Sequence, residues 1–124
     1  GTAEARANGK PLLLFFTADW CPSCRDLKEG VNADAGIARL LEERFVPVEV
    51  VDRTREDGAN PPEVKKLVEA FRVTGLPTIV VFRPGGAAAA RQPGYTTREE
   101  AFAFLRGALA RLEEAEERAR RAGR

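Results

Sequence analysis

Histidine is absent from this 124-residue chain, and its absence excludes several kinds of functional site. A Ser-His-Asp triad and a Cys-His pair both use an imidazole as the base that activates the nucleophile. Zinc sites with imidazole ligands are excluded for the same reason. Any catalytic chemistry within this chain must therefore be carried by other side chains.

Methionine is also absent, even from position 1, which predicts that the chain is a processed or excised piece of a longer product. No apolar run approaches the roughly 18 residues of a membrane span, and the start lacks the charged and apolar regions of a signal peptide. The net charge is only +1 at pH 7. We therefore expect no membrane span in this chain and no nucleic acid partner.

Only two cysteines are present, so disulfides do not supply a framework for the fold. A chain of this length buries most of its apolar surface around one core without such help. We expect residues 1–124 to form a single domain, with its core at about 3–112. No internal repeat or linker divides the chain.

Hydrophobic patterns predict alternating helices and strands. The run PLLLFFT is too short for a helix with both faces buried, and so predicts a central strand. The predicted order is helix, strand, helix, helix, strand, helix, strand, strand, helix. These elements are expected at 2–9, at 11–17, from 22, from 34, at 44–52, from 61, at 76–82, at 87–95 and from 97. The polar stretch at 53–60 is predicted to be a loop, and RPGG at 83–86 to be the turn of a hairpin.

The last helix has a clear start and a clear change of character. Thr97 with Glu100 three residues later forms a capping box. An apolar stripe follows it and ends at Leu112. Residues 113–124 are predicted to be a charged helical extension supported by Glu–Arg pairs. A solvated helix is the simpler interpretation, and a docking arm is the alternative.

Both cysteines and the only tryptophan lie within ADWCPSCRD, residues 18–26. Pro22 suits the first position of a helix, which makes Cys21 the N-cap and Cys24 the third helical residue. The first turn brings the two Cβ atoms near the roughly 3.5–4.5 Å of a disulfide. Free N–H groups and the helix dipole favour a thiolate at Cys21. Cys21 is therefore the candidate nucleophile, and Cys24 the residue that resolves a mixed disulfide.

Two other interpretations of the cysteine pair remain open. A structural disulfide is one, but so small a ring removes little entropy from the unfolded chain. Half of a zinc or iron–sulfur site is the other, but without a second pair or a histidine the site would have to be shared between subunits. The spacing favours a redox dithiol, for which we expect no metal and no cofactor.

The motif WCPSC after an apolar strand, with GLPT before a later one, resembles the thioredoxin superfamily. The longer stretch GKPLLLFFTADWCPSC resembles the thioredoxin-like C-terminal domain of DsbD-type thiol:disulfide interchange proteins and their soluble relatives. This resemblance implies an α/β thioredoxin fold. Its central mixed sheet has parallel strands and a C-terminal antiparallel hairpin, helices flank it, and an extra helix lies at the N-terminus.

The resemblance also implies roles for residues outside the cysteine pair. Pro77 would be a cis-proline lying against the two sulfurs. The backbone of Leu76 would bind a substrate strand by β-augmentation, and Thr78 would also be a substrate-binding residue. Trp20 would cover one side of the dithiol as a flat apolar contact for substrate, with core packing as its alternative.

Two positions depart from the family pattern. Phe15 stands where many relatives have a buried aspartate, and Lys28 where DsbD-type domains tend to have a glutamate. With less negative charge near the thiols, a thiolate is favoured. The loss of the aspartate also removes the strongest proton acceptor, which leaves open what takes the proton from Cys24. Asp19 and Glu49 are the candidates for a proton relay. The alternative for Glu49 is a strand-end carboxylate that faces solvent.

The resemblance implies a thiol:disulfide oxidoreductase, and we expect a disulfide reductase that acts on protein disulfides through a mixed disulfide. Long insertions typical of dedicated oxidases and isomerases are absent. A thiol oxidase or isomerase of the same fold and a non-catalytic binding module are the alternatives. Expected partners are a disulfide-containing protein and an upstream electron-donor reductase, such as a membrane dithiol protein. We expect a monomer in the periplasm or another extracytoplasmic compartment of a bacterium, with the cytoplasm as the alternative.

Overall fold

The computed structural model describes residues 9–83, 88–95 and 97–123 of the chain. The first predicted helix (2–9) falls on undescribed residues except for Gly9, and the predicted RPGG turn (83–86) except for Arg83. Both predictions therefore lie almost entirely outside the described residues.

Four strands and five helices make up the described part of the chain. The strands are β1 (Leu12–Thr17), β2 (Val46–Val51), β3 (Thr78–Phe82) and β4 (Ala88–Pro93). The helices are α1 (Pro22–Ala33), α2 (Ala35–Arg44), α3 (Thr54–Asp57), α4 (Pro62–Ala70) and α5 (Arg98–Ala122). Apart from α3, their order along the chain is the predicted one.

Helix α3 was predicted to be part of a polar loop. Its four residues lack buried side chains, so no hydrophobic pattern marks it. Polar contacts hold it instead: the Thr54 N–H donates to Asp52 Oδ1 at 2.9 Å, and the Arg53 N–H donates to Asn60 Oδ1 at 2.6 Å. Gly58 ends the helix in the left-handed conformation (φ 82°), which glycine adopts without strain.

The sheet is mixed, with strand order β2-β1-β3-β4. Strand β1 pairs parallel with β2 and antiparallel with β3, and β3 pairs antiparallel with β4. The central position of β1 explains its continuous apolar sequence, because both of its faces are covered. The predicted central strand and the antiparallel C-terminal pair of strands are confirmed.

Successive side chains of β1 point to opposite faces of the sheet and so enter two different cores. Leu13 lies in the core under α1, α2 and α5, together with Leu27, Ile37, Phe45, Ile79, Phe102 and Leu105. The opposite core contains Leu12, Leu14, Phe16, Val50 and Val80, and the side chains of α4 pack against it. Only residues 18–21 separate β1 from α1, so the start of α1 lies just beyond the C-terminal end of β1.

Helix α5 continues without a break beyond the last buried leucine. At its start the Thr97 hydroxyl accepts the Glu100 N–H at 3.1 Å, as a capping box predicts. Further along, Glu117 pairs with Arg121 at 3.1 Å within the helix. Glu113 pairs instead with Arg44 of α2 at 2.5 Å, so the charged extension also contacts the domain.

Candidate active site

The two cysteines lie where β1 passes into α1. Cys21 is the N-cap of α1, with extended backbone angles (φ −85°, ψ 110°), and Pro22 is the first helical residue. The Cys21 sulfur accepts the Cys24 N–H at 3.2 Å. The sequence places Pro22 at the first helical position, where the missing N–H removes no intrahelical hydrogen bond. The predicted N-cap geometry of the dithiol is therefore present.

Cys21 and Cys24 form a disulfide, with their Cα atoms 5.3 Å apart. Their exposures differ: Cys24 is 0 % exposed and Cys21 is 4 % exposed. The Cys21 N–H donates to the Ala18 carbonyl at 3.2 Å, which closes the turn between strand and helix. Of the two cysteines, Cys21 is therefore the more accessible to a partner.

The GLPT segment lies beside the dithiol. Leu76 packs against the cluster formed by Ala18, Cys21 and Cys24. The Leu76–Pro77 peptide bond is cis, and Pro77 is fully buried. The Pro77 carbonyl accepts the Gly94 N–H at 2.8 Å, which ties this segment to the end of β4.

Thr78 does not present its side chain to a substrate. It is 0 % exposed, and its hydroxyl donates to the Gly75 carbonyl at 2.7 Å. Thr78 is the first residue of β3, and it lies opposite Pro93 of β4. Of the predicted substrate-binding residues, Thr78 is therefore a structural support for the segment that carries Leu76.

Trp20 lies at the surface and not in the core. It is 38 % exposed, and the guanidinium carbon of Arg55 lies 3.8 Å from its ring centroid. An arginine over an indole face is a cation–π contact. The core-packing alternative is excluded, and an aromatic surface is present one residue before Cys21.

Asp19 is directed toward α3. Its carboxylate lies 3.7 Å from the Arg53 guanidinium, and its side chain is 70 % exposed. Arg53 also pairs with Asp57 at 2.8 Å. Within the described part of the chain, Asp19 makes no hydrogen bond to either cysteine, and its role in a proton relay stays a prediction.

Glu49 is paired with Lys28 and faces solvent. Lys28 Nζ donates to Glu49 Oε1 at 2.6 Å, and both side chains are more than 40 % exposed (43 % and 44 %). Glu49 lies opposite Phe15 in the β1–β2 register, and Phe15 packs against the cysteine cluster. The interpretation of Glu49 as a buried proton acceptor therefore does not fit, and the solvent-facing alternative does.

A groove of about 650 Å³ opens beside this pair. Phe15, Lys28 and Glu49 line it, together with apolar side chains of α1, α2 and the sheet. Phe15 also packs against Ala18, Cys21 and Cys24. The phenyl ring thus separates the groove from the dithiol.

A polar cluster that the sequence analysis missed fixes α1 to the start of α5. Tyr95 Oη donates to Asp26 Oδ2, and Arg98 Nη2 donates to Asp26 Oδ1 at 3.0 Å. The hydrogen bond from Tyr95, followed by that from Arg98, holds the pKa of Asp26 below its usual value. Gly30 makes room for the arginine, because a Cβ there would lie 2.6 Å from Arg98 Cδ. We call Asp26, Tyr95 and Arg98 the Asp26 cluster.

The Asp26 cluster predicts a pH dependence of stability. Because folding lowers the pKa of Asp26 below 3.8, the cluster stabilises the fold fully above that pH and loses this effect as the pH falls through the folded-state pKa. We expect Asp26→Asn to lower the denaturation midpoint near neutral pH. The difference from wild type should shrink in acid below pH 3.8.

Urea denaturation of both proteins over this pH range measures the effect. Glu29→Gln, also on α1 and exposed, is the matched control, for which we expect no such pH-dependent difference. A gap between wild type and Asp26→Asn that stays constant into acid would contradict the assignment.

Among the residues that the structure describes, no group of three or more His, Cys, Asp or Glu side chains is placed to hold a metal ion. Over the same part of the chain, no helix has the length and apolar character needed to cross a membrane.

Comparison with known proteins gives concordant results. The family model described as thioredoxin-like domain matches residues 1–109. The chain is 36 % identical over 85 residues to thiol:disulfide interchange protein DsbD 1 of Pseudomonas aeruginosa, covering 68 % of this chain. It is 34 % identical over 106 residues to DsbD of Ralstonia nicotianae, covering 85 % of this chain. The matched regions are only 13 % and 16 % of the lengths of these two relatives.

Solved structures agree. A thioredoxin from Thermus thermophilus superposes with a TM-score of 0.67 and 34 % identity, covering 85 % of this chain and 78 % of that one. The oxidised C-terminal domain of Neisseria meningitidis DsbD gives a TM-score of 0.61 and 25 % identity, with 86 % of each chain covered. The mixed sheet and flanking helices are thus those of the thioredoxin fold.

Proposed function

Because the chain belongs to the thioredoxin-like domain family and is similar to DsbD thiol:disulfide interchange proteins, we propose that it is a disulfide reductase for proteins. Cys21 and Cys24 are its reacting groups. The observation that carries the proposal is the Cys21 sulfur at the N-cap of α1, where it accepts the Cys24 N–H. Such a position stabilises negative charge on the sulfur in the reduced protein.

The reaction begins with both cysteines reduced. The Cys21 thiolate attacks one sulfur of the partner disulfide, forming a mixed disulfide and releasing the other sulfur as a thiolate that takes a proton. Cys24 then loses its proton and attacks the Cys21 sulfur. The mixed disulfide breaks, and the second partner sulfur leaves as a thiolate that takes a proton. The partner disulfide has then been reduced to two thiols, and Cys21 and Cys24 have been oxidised to a disulfide.

Three neighbouring residues would hold the partner. The backbone of Leu76 would pair with an extended partner segment, as in β-augmentation. Pro77, which has no N–H, would lie against the sulfurs. Trp20 would offer an apolar surface beside Cys21, in keeping with its exposure.

Water that reaches Cys24 directly, and not water in the groove from which Phe15 separates the dithiol, would take the proton from Cys24. This assignment is supported by the engagement of both nearby carboxylates elsewhere, Asp19 with Arg53 and Glu49 with Lys28. Either carboxylate would act only as a second acceptor, after water.

The reducing direction is supported by the absence from this sequence of the long insertions typical of dedicated oxidases and isomerases. Dithiols of this kind range from about −270 mV in thioredoxin to about −120 mV in the oxidant DsbA. We propose a potential near the reducing end, with electrons supplied by a membrane dithiol protein. The protein would act as a monomer in a bacterial extracytoplasmic compartment, in keeping with its similarity to DsbD.

The test is the reduction potential of the Cys21–Cys24 pair, measured against glutathione or dithiothreitol buffers, together with insulin reduction. We expect a potential closer to about −270 mV than to −120 mV, and insulin reduction that a Cys21→Ala, Cys24→Ala double variant lacks. A potential above about −150 mV would indicate an oxidase. Partner binding that survives in the double variant, without insulin reduction by wild type, would indicate a binding module.

A further inference from the structure

Two arginines of the α3 segment contact the residues just before Cys21, Arg53 at Asp19 and Arg55 at Trp20, but their charges are matched differently. Arg53 pairs with Asp19 at 3.7 Å and with Asp57 at 2.8 Å. The hydrogen bond and charge of Asp57 raise the pKa of Arg53, with smaller contributions from Glu56 and Asp19. The positive charge of Arg53 is therefore balanced by the carboxylates of Asp57 and Asp19 within the protein.

Arg55 has no carboxylate partner in the part of the chain that the structure describes. It is exposed, and its guanidinium lies over the Trp20 ring, 3.8 Å from guanidinium carbon to ring centroid. A guanidinium held against an aromatic face keeps N–H donors free at its edge. An unmatched, oriented cation thus lies over the ring of Trp20, the residue that precedes Cys21.

The backbone around Arg55 is held in place. Helix α3 is tied to its flanks by Asp52 and Asn60 and ends at the left-handed Gly58. The Asp52 N–H donates to the Thr17 carbonyl at 2.7 Å, which joins this segment to the end of β1. The cation therefore has a defined place relative to the β1–α1 junction that carries Cys21.

We propose that Arg55 determines specificity: it forms an ion pair with an Asp or Glu that lies next to the reacting cysteine of the partner. The inference rests on the proposed reductase function and adds the chemistry of the preferred substrate. Arg55 would bind the partner's carboxylate while Trp20 contacts the apolar part of the same segment. A solvent-exposed pair of this kind changes affinity by about twofold to fivefold, and salt weakens it.

The experiment compares two disulfide peptides of identical sequence, one with Glu and one with Gln beside the reacting cysteine. The kcat/KM for each is measured with the full chain at low and high salt. We expect wild type to prefer the Glu peptide by about twofold to fivefold at low salt, and less at high salt. Arg55→Gln should lose the preference, and Arg55→Lys, which retains the charge, should keep part of it.

Arg111→Gln is the matched control, because it removes the same charge from an exposed position on α5 far along the chain. It should keep the wild-type preference and salt dependence. Equal rates for the two peptides with wild type, or a preference that persists in Arg55→Gln, would overturn the role of Arg55 while leaving the reductase function intact. If wild type reduces neither peptide and does not reduce insulin, the proposed function itself fails.

Discussion

Replacement of Cys21 by serine is expected to reduce disulfide reduction to the rate without protein, and replacement of Cys24 by serine to trap the protein on its partner. The difference follows from the order of the two steps. Without Cys21 no mixed disulfide forms, because Cys24 is 0 % exposed at the first turn of α1. Without Cys24 the first attack still occurs, but nothing within the chain resolves the product.

Mass spectrometry and a non-reducing gel distinguish the two variants. Each reduced variant is mixed with a disulfide peptide, and the covalent conjugate is quantified. We expect a near-stoichiometric conjugate with Cys24→Ser and none with Cys21→Ser. Ser23→Ala is the control, because it alters the same turn and leaves both sulfurs in place; it should turn over without accumulating conjugate.

The opposite pattern would reverse the assignment. A conjugate formed by Cys21→Ser and not by Cys24→Ser would make Cys24 the attacking residue and would require α1 to open at its first turn. Normal turnover by Cys21→Ser would remove the dithiol from the reaction altogether.

The start of α1 could be predicted because its determinants are local. Pro22 has one favourable helical position, and this fixes Cys21 as the N-cap and Cys24 in the first turn. The same is true of Thr97, which caps α5 because its hydroxyl accepts the N–H of Glu100, three residues later. Such features depend on neighbours in sequence, so the geometry of the dithiol can be predicted from residues 21–24 alone.

Contacts between distant segments could not be predicted in this way. Tyr95 and Asp26 are 69 residues apart, and no pattern in either segment indicates their hydrogen bond. Resemblance to relatives identified Phe15 and Lys28 as departures, but only the folded structure shows that Glu49 lies opposite Phe15 and pairs with Lys28. The contact between Arg55 and Trp20 could not be predicted either, because no hydrophobic pattern marks α3. The contact depends on the position of α3 relative to the end of β1.

The two-core arrangement predicts a large cost for truncating Phe16. This side chain is 1 % exposed in the core beneath α4, and its ring centroid lies 6.3 Å from that of Phe71. Phe16→Ala should lower the free energy of unfolding by about 3–5 kcal/mol, since it removes buried apolar surface and leaves a cavity. That is a large part of the roughly 5–15 kcal/mol that stabilises a typical domain.

Urea denaturation of the oxidised proteins, followed by circular dichroism, measures the change with the Cys21–Cys24 disulfide intact. Phe104→Ala is the matched control: it makes the same chemical change at a partly buried position of α5, and we expect a clearly smaller loss. Because the central strand β1 carries Phe16 in one core and Leu13 in the other, a large loss at Phe16 would show that the α4 side stabilises the strand that leads to Cys21. Equal losses for the two phenylalanine variants would contradict the greater burial of Phe16, and with it the placement of α4 over that face.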